Sequence, residues 1–192
     1  MSTPPRLPAL ETERLVLRRQ TPDDAEAMRR LWAERDPRVP AHRRLTPDGH
    51  PTVDEVAARI RDDDAGDAPG LLSIVDRDSG EMIGYCGLVA RGDRTPDEPE
   101  LAFELERAAH GRGYATEAAR AVVEWADASG FERLHAEVWD WNVASRRVLA
   151  KLGFQEVGVT GRESAHGHSL LTTRTSATAA ASRGTTERPG IR

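Results

Sequence analysis

A glycine-punctuated turn carries the residues best suited to bind an anion. It follows residues 101–105, where apolar residues alternate with polar or small ones, and it spans residues 110–115 (His-Gly-Arg-Gly-Tyr-Ala). An Ala-rich segment with helical periodicity comes next. Glycines let the backbone approach a phosphate closely, and unpaired amides at a helix start point at it with the positive end of the helix dipole behind them. The stretch therefore predicts an anion site, although a plain strand-to-helix connection has the same pattern.

The elements that position this turn alternate between strand and helix. Residues 114–129 place Ala, Val and Trp on one broad face, which predicts a helix. Residues 131–138 alternate in the manner of a strand. Asn142 then opens a second helix, and Gly153 ends it before a last strand. The order of elements predicts an α/β fold.

Three motifs occur in register over about sixty residues. They are Gly-Arg-Gly-Tyr-Ala-Thr-Glu-Ala (111–118), Asn-Val-Ala-Ser (142–145) and Lys-Leu-Gly-Phe (151–154). Together they resemble the GCN5-related N-acetyltransferase (GNAT) superfamily, and more narrowly its ribosomal-protein N-terminal (RimJ/RimL-type) subgroup. The opening Thr-Glu-Arg-Leu-Val-Leu-Arg (12–18) extends the resemblance to the N-terminus. It implies a GNAT fold, a mixed but mostly antiparallel sheet that is splayed between its two middle strands and flanked by helices.

Composition predicts one domain and a tail. The length of 192 residues suits a single core, which we place at residues 1–172. Residues 173–192 are small and polar without apolar periodicity, so we expect a disordered tail there. On this interpretation only residues 169–171 supply a last strand.

Several partner classes are disfavoured by the sequence. No apolar run approaches the ~20 residues that span a bilayer, and the N-terminus lacks the apolar core of a secretory signal. Cys86 is the only cysteine, which fits a reducing compartment, so we expect a cytoplasmic enzyme without membrane contact. The net charge of −5 provides no field that would attract nucleic acid. The pair His166 and His168 lacks partners with metal-ligand spacing, so no metal is expected.

The resemblance implies acetyl-CoA as co-substrate and direct acetyl transfer to a primary amine. Amides of the 110–115 turn would hold the CoA pyrophosphate with help from the charge of Arg112, while His110 stands where the family pattern has Gln or Arg. In the family, pantetheine lies between the splayed strands, and strand N–H groups serve as oxyanion hole. The residues expected to bind the cofactor are Phe103, Glu104, Leu105, His110, Gly111, Arg112, Gly113, Tyr114, Ala115, Asn142 and Ser145.

The catalytic roles come from the same resemblance. Glu137 and Glu100 are equal candidates for the base that removes the ammonium proton, with Glu104 a third. A base from elsewhere, or loss of the proton to solvent, stays open. Many superfamily members protonate the thiolate with a tyrosine at the position of Leu149, and the subgroup offers Ser145 instead. Asn142 and Ser145 are also compatible with a role as helix cap alone.

The acceptor is the least determined part of the prediction. The subgroup resemblance favours a protein N-terminal amine. A small-molecule amine, such as an aminoglycoside, a polyamine or an amino acid, is the alternative enzyme reaction. A non-catalytic sensor that binds acyl-CoA is the alternative outside enzymes, and a homodimer is compatible with the sequence.

Overall fold

The computed structural model describes residues 5–63, 69–90 and 97–179. Within them, eight strands form one mixed sheet in the order β1-β2-β3-β4-β5-β6-β8-β7. The strands are β1 (Leu10–Glu11), β2 (Leu15–Arg19), β3 (Gly70–Asp76), β4 (Met82–Val89), β5 (Glu100–Leu105), β6 (Arg133–Trp139), β7 (Gln155–Ser164) and β8 (Gly167–Thr175). The helices are α1 (Ala25–Ala33), α2 (Val53–Asp63), α3 (Tyr114–Ala128) and α4 (Val143–Lys151). The predicted α/β class is confirmed.

The two middle strands separate almost at once. β5 and β6 run parallel and are joined at one bridge, between Glu100 and His135, whereas every other neighbouring pair is antiparallel. Neighbouring strands that stay hydrogen-bonded along their length leave no opening between them. Because β5 and β6 share a single bridge, a wedge-shaped gap opens between them toward the carboxyl end of β5. The predicted splay of the sheet is confirmed.

The sheet packs a separate core on each face. α3 and α4 cover a core that includes Leu101, Val122 and Leu149. α1 and α2 cover a smaller one around Leu31 and Val56. Because side chains alternate along a strand, the odd-numbered residues of β5 face the α3 side and the even-numbered ones face the α1–α2 side. The two sides of the gap therefore have different chemistry.

Local sequence signals mark the helix ends. The side-chain oxygen of Asn142 accepts the N–H of Ser145 (3.1 Å), which caps α4, and Gly153 after α4 has a φ of +85° that favours glycine. Thr52 and Glu55 exchange hydrogen bonds at the start of α2 in a capping box. Of the helices in the described ranges, none has both the length and the apolar character needed to cross a membrane.

The last strand corrects the predicted domain boundary. β8 runs to Thr175, pairs with β6 and β7 on its two sides, and is followed by a helical turn through Ala179, which is buried. The Arg174 guanidinium makes two hydrogen bonds of 2.7 Å to Asp127. Thr-rich segments suit a strand between two others because β-branched side chains fit a pleated surface. The small, polar composition of this segment therefore did not exclude a strand. The remainder of the predicted tail, residues 180–192, lies outside the described residues.

Candidate active site

The gap between β5 and β6 opens into a cavity of about 1080 Å³. Its walls come from the diverging halves of both strands, from the turn before α3, from the start of α4, and from the segment between α1 and α2. All predicted cofactor-binding and catalytic residues line the cavity with the single exception of Arg112. The sequence motifs thus converge on one place.

The free edge of β5 faces this cavity. The N–H of His135 on β6 donates to the carbonyl of Pro99 just before β5 (3.1 Å). Because backbone groups alternate along a strand, those of the odd-numbered residues point toward β6 and those of the even-numbered residues pair with β4. Beyond the single bridge β6 is out of reach, so the N–H groups of Phe103 and Leu105 point into the gap. They can bind an extended ligand chain or an oxyanion.

The start of α3 presents backbone amides to the same cavity. Gly113 is the N-cap, with a φ of +85°, and its carbonyl accepts the N–H of Glu117 (3.1 Å). The amides of residues 113–116 precede the first helical hydrogen bond, so none has an intrahelical partner. Gly111 has a φ of +73°, and a Cβ added there would meet nothing within 4 Å. This open, amide-lined concavity can bind an anion such as a phosphate.

Side chains of the turn make contacts that hold it in place. The buried Tyr114 hydroxyl donates to Asp76 (2.9 Å), and this bond raises the pKa of Tyr114. The Arg112 guanidinium lies 4.7 Å from the centroid of the Tyr114 ring, and Arg112 does not line the cavity. Its position therefore does not support the prediction that its charge helps to hold the pyrophosphate. His110 Nε2 donates to the Leu105 carbonyl (3.0 Å), since a carbonyl oxygen only accepts.

Glu117 ties the first turn of α3 to the N-terminal strands. Its carboxylate accepts the hydroxyl of Thr12 (2.7 Å) and the N–H of Arg14 (3.0 Å) together with the Arg14 guanidinium. Burial acts to raise the pKa of Glu117, but these bonds outweigh it and hold the pKa below its usual value. Arg14 also donates to the Arg112 carbonyl (3.0 Å), which fixes the turn. Thr12 and Arg14 belong to the motif at residues 12–18, and their hydrogen bonds to Glu117 give both residues a structural role.

The two predicted bases lie on the α1–α2 face of the sheet. Glu100 stands at the bridge where the gap begins, and Glu137 is two residues beyond His135, on the same face of β6. Both are half-buried and line the cavity, and Ser169 of β8 donates to Glu137 (3.4 Å). A base on this face would meet an acceptor that approaches from the side of α1 and α2, opposite the core under α3.

Glu104 is engaged in a network that the sequence did not indicate. Its carboxylate accepts two hydrogen bonds from Arg35 (2.8 and 2.5 Å) and the hydroxyl of Tyr85 (2.9 Å). Burial, followed by the charge of Glu104, raises the pKa of Tyr85, so its hydroxyl stays protonated as a donor. Glu104, the third candidate base, therefore joins Arg35 of the segment after α1 to Tyr85 of β4.

The segment after α1 forms the outer wall of the cavity. Glu34 accepts the N–H of Arg107 (2.7 Å), and the Arg38 guanidinium lies 4.1 Å from the centroid of Trp141. Arg35 also donates to the Arg43 carbonyl, which closes the segment into a loop. We name residues 34–43 the acceptor wall. Its irregular, Pro-containing sequence has no periodicity, so no local pattern in the sequence indicated this wall.

The start of α4 completes the cavity. Asn142 and Ser145 both line it, and Asn142 also caps α4, so capping and ligand contact are compatible. Leu149, at the position where many superfamily members have a tyrosine, is buried in the core. Arg147 and Lys151 add positive charge to the α4 side of the cavity.

Known proteins share this architecture. A family model described as an acetyltransferase (GNAT) domain matches residues 14–155. The uncharacterised N-acetyltransferase p20 of Bacillus licheniformis is 30% identical over 156 residues, which cover 78% of this chain and 84% of that protein. Among solved structures, a GNAT-family acetyltransferase of Bordetella pertussis is 30% identical with a TM-score of 0.69, over 87% of this chain and 99% of that one. RimJ of Mycobacterium smegmatis, in complex with CoA-disulfide, has 22% identity and a TM-score of 0.63, over 84% of this chain and 81% of its own. The chain belongs to the GNAT family of N-acetyltransferases and is an acyltransferase.

Proposed function

We propose that this chain transfers the acetyl group of acetyl-CoA directly to the primary amine at a protein N-terminus. The observation that carries the proposal is the single bridge between β5 and β6, which leaves strand amides exposed between the α3 amides and the carboxylates of the opposite face. Donor and acceptor can then meet in the gap from two sides. One solved relative is in complex with CoA-disulfide, which supports a CoA donor.

The donor side of the site binds and polarises a thioester. Amides of residues 113–116 would bind the pyrophosphate, and Arg147 and Lys151 line the α4 side of the same cavity. The N–H of Phe103 would donate to the thioester carbonyl oxygen and stabilise the oxyanion of the tetrahedral intermediate. Asn142 and Ser145 lie where a hydroxyl or amide N–H can support the departing thiolate.

The acceptor side removes one proton and presents a neutral amine. Glu137 or Glu100, directly or through water, takes a proton from the ammonium group, and the amine nitrogen then attacks the thioester carbon. The carbon–sulfur bond breaks as the amide forms, the nitrogen loses its second proton, and the thiolate takes up a proton in exchange. Positioning of both reactants in one complex supplies most of the acceleration in such a scheme.

The choice of an N-terminal amine rests on the motifs that resemble the RimJ/RimL-type subgroup. RimJ of M. smegmatis is among the structural neighbours, although its 22% identity supports the fold alone. A small-molecule amine is the second candidate, because the acceptor wall carries charged side chains at which a compact polar substrate can bind.

Release of free CoA thiol from acetyl-CoA measures the reaction with each acceptor class. The panel holds N-terminal peptides, a polyamine, an aminoglycoside and free amino acids, and mass spectrometry locates the acetyl group. We expect acetylation of peptide α-amines and not of internal lysines. Transfer to small amines alone would overturn the N-terminal assignment. Binding of acetyl-CoA with no thiol release for any acceptor would overturn the proposal that the chain catalyses acetyl transfer.

A further inference from the structure

The acceptor wall contributes three arginines to the cavity lining: Arg35, Arg38 and Arg43. Arg35 is paired with Glu104 through two hydrogen bonds. Arg38 is paired in the same way with Asp36 (2.9 and 2.8 Å), and this contact lowers the pKa of Asp36 to about 2. Two of the three guanidinium charges are thus balanced by carboxylates within the wall or beneath it.

Arg43 differs from the other two. Within the part of the chain that the structure describes, no carboxylate forms an ion pair with its guanidinium. Its main chain is fixed because its carbonyl accepts a hydrogen bond from Arg35. Burial and the charge of Glu104 raise the pKa of Tyr85, while the charges of Arg35 and Arg43 act in the opposite direction. Arg43 and Tyr85 both line the cavity.

This cation is local. The chain as a whole has a net charge of −5, so its overall charge does not attract an acidic acceptor. Arg147 and Lys151, which also line the cavity, belong to α4, whereas Arg43 belongs to the acceptor wall on the α1–α2 face of the sheet. Its charge is available to the acceptor rather than to CoA.

From this arrangement we infer that the acceptor carries a carboxylate near its amine, and that Arg43 binds this carboxylate. The ammonium group would face the carboxylates of Glu137 and Glu100, and the acidic group would face the guanidinium across the gap. The inference rests on the proposed function and narrows its acceptor. Two sources share this chemistry: a peptide with Asp or Glu after its N-terminal residue, and a free amino acid.

Matched acceptors with purified full-length protein test the inference. One arm compares Ala-Asp and Ala-Glu peptides with their Ala-Asn and Ala-Gln isosteres, and another compares free glutamate with its α-amide and with glutamine. A charge-assisted hydrogen bond of about 1.5–3 kcal/mol predicts a preference in kcat/KM of about tenfold or more for the acidic member. The arm that shows the preference identifies the source.

Substitutions test whether Arg43 causes the preference for acidic acceptors. We expect Arg43→Gln to bring the acid-to-amide ratio close to one, Arg43→Glu to reverse it, and Arg43→Lys to keep its direction. The matched control is Arg61→Gln, which removes an exposed arginine of α2 that does not line the cavity, and the ratio should persist. Circular dichroism and thermal unfolding of each variant show that the fold is retained.

The outcomes separate the two proposals. Equal rates for acids and amides, or a preference that survives Arg43→Gln, overturn the role of Arg43 while acetyl transfer itself stands. If no amine in the panel is acetylated, the proposed function and this inference are overturned together. Added salt should reduce the acid preference, because the guanidinium is exposed to solvent.

Discussion

The guanidinium of Arg35 and the carboxylate of Glu104 share two hydrogen bonds of 2.8 and 2.5 Å across 69 residues of sequence. The pair joins the acceptor wall to the strand whose neighbouring amides, those of Phe103 and Leu105, point into the gap. Arg35 and Glu104 keep only 14% and 22% of their side-chain surface exposed, so solvent screens the pair weakly. The acceptor wall is thereby held against β5.

Loss of this pair should weaken acceptor binding. We expect Arg35→Met to leave Glu104 partly buried without its charge partner and to lower stability by about 2–3 kcal/mol. KM for the acceptor should rise, whereas the dissociation constant for acetyl-CoA, measured by calorimetry, should change little. The matched control is Arg30→Met, because the Arg30–Glu106 pair joins α1 to the same end of β5 but leaves Arg30 54% exposed. An equal loss in both variants would contradict a special role for Arg35.

Gly113→Val should abolish acetyl-CoA binding while the protein stays folded. The residue has a φ of +85° at the N-cap of α3, and a branched side chain would strain the backbone that presents the amides. Gly130→Val, at the other end of the same helix with a φ of +88° and open space around it, imposes comparable strain away from the cavity. Calorimetric titration of both variants should show loss for the first alone. If Gly113→Val keeps its affinity for acetyl-CoA, the amides at the start of α3 do not bind the cofactor.

The pH–rate profile distinguishes the two candidate bases. Replacement of the base by Gln should lower kcat by about 10²–10⁴ and abolish the acidic limb of the profile, because general-base catalysis contributes that factor. Glu137→Gln and Glu100→Gln are measured alongside Glu124→Gln, an exposed position on α3, as the control. If neither variant changes the profile, the proton leaves by another route and both assignments are wrong.

Asp24 should make the stability of the fold sensitive to acid. Its carboxylate is 4% exposed and is held by two hydrogen bonds from Arg18 (2.8 Å each) and one from Ser73 (2.8 Å). Burial acts to raise the pKa of Asp24, but the bonds from Arg18, Thr21 and Ser73 outweigh it and lower the pKa. A lowered pKa means that this stabilisation is present above the unfolded-state pKa and is lost as the pH falls through the folded-state pKa.

Urea unfolding of Asp24→Asn should therefore show a loss of about 3 kcal/mol at pH 7, and the difference from the unaltered protein should shrink below about pH 4. Asp23→Asn changes the neighbouring exposed carboxylate and serves as the control, with little effect at any pH. A difference that is constant from neutral to acidic pH would show that the Asp24 charge does not stabilise the fold.

The C-terminal strand shows where sequence reasoning failed. Residues 173–175 have no apolar periodicity, but they continue a strand that is paired on both sides, so its backbone bonds and the Arg174–Asp127 contact decide its state. The opening motif is interrupted by a tight turn between β1 and β2, in which the Thr12 N–H donates to the Leu15 carbonyl (2.9 Å). The extent of β8 is therefore set by pairing partners that lie far away in the sequence.

The sequence by itself determined the order of strands and helices, the glycine turn before α3, the capped start of α4 and the family of the fold. These features depend on backbone freedom, capping and apolar periodicity, which act over a few residues and are visible in the chain. Only the tertiary structure decided that Arg35, Tyr85 and Glu104 meet, that Arg112 lies outside the cavity, and that Arg43 has no carboxylate partner among the described residues. Charges from distant segments are balanced or left unbalanced by the packing of those segments against one another, and a linear pattern of residue types does not encode that packing.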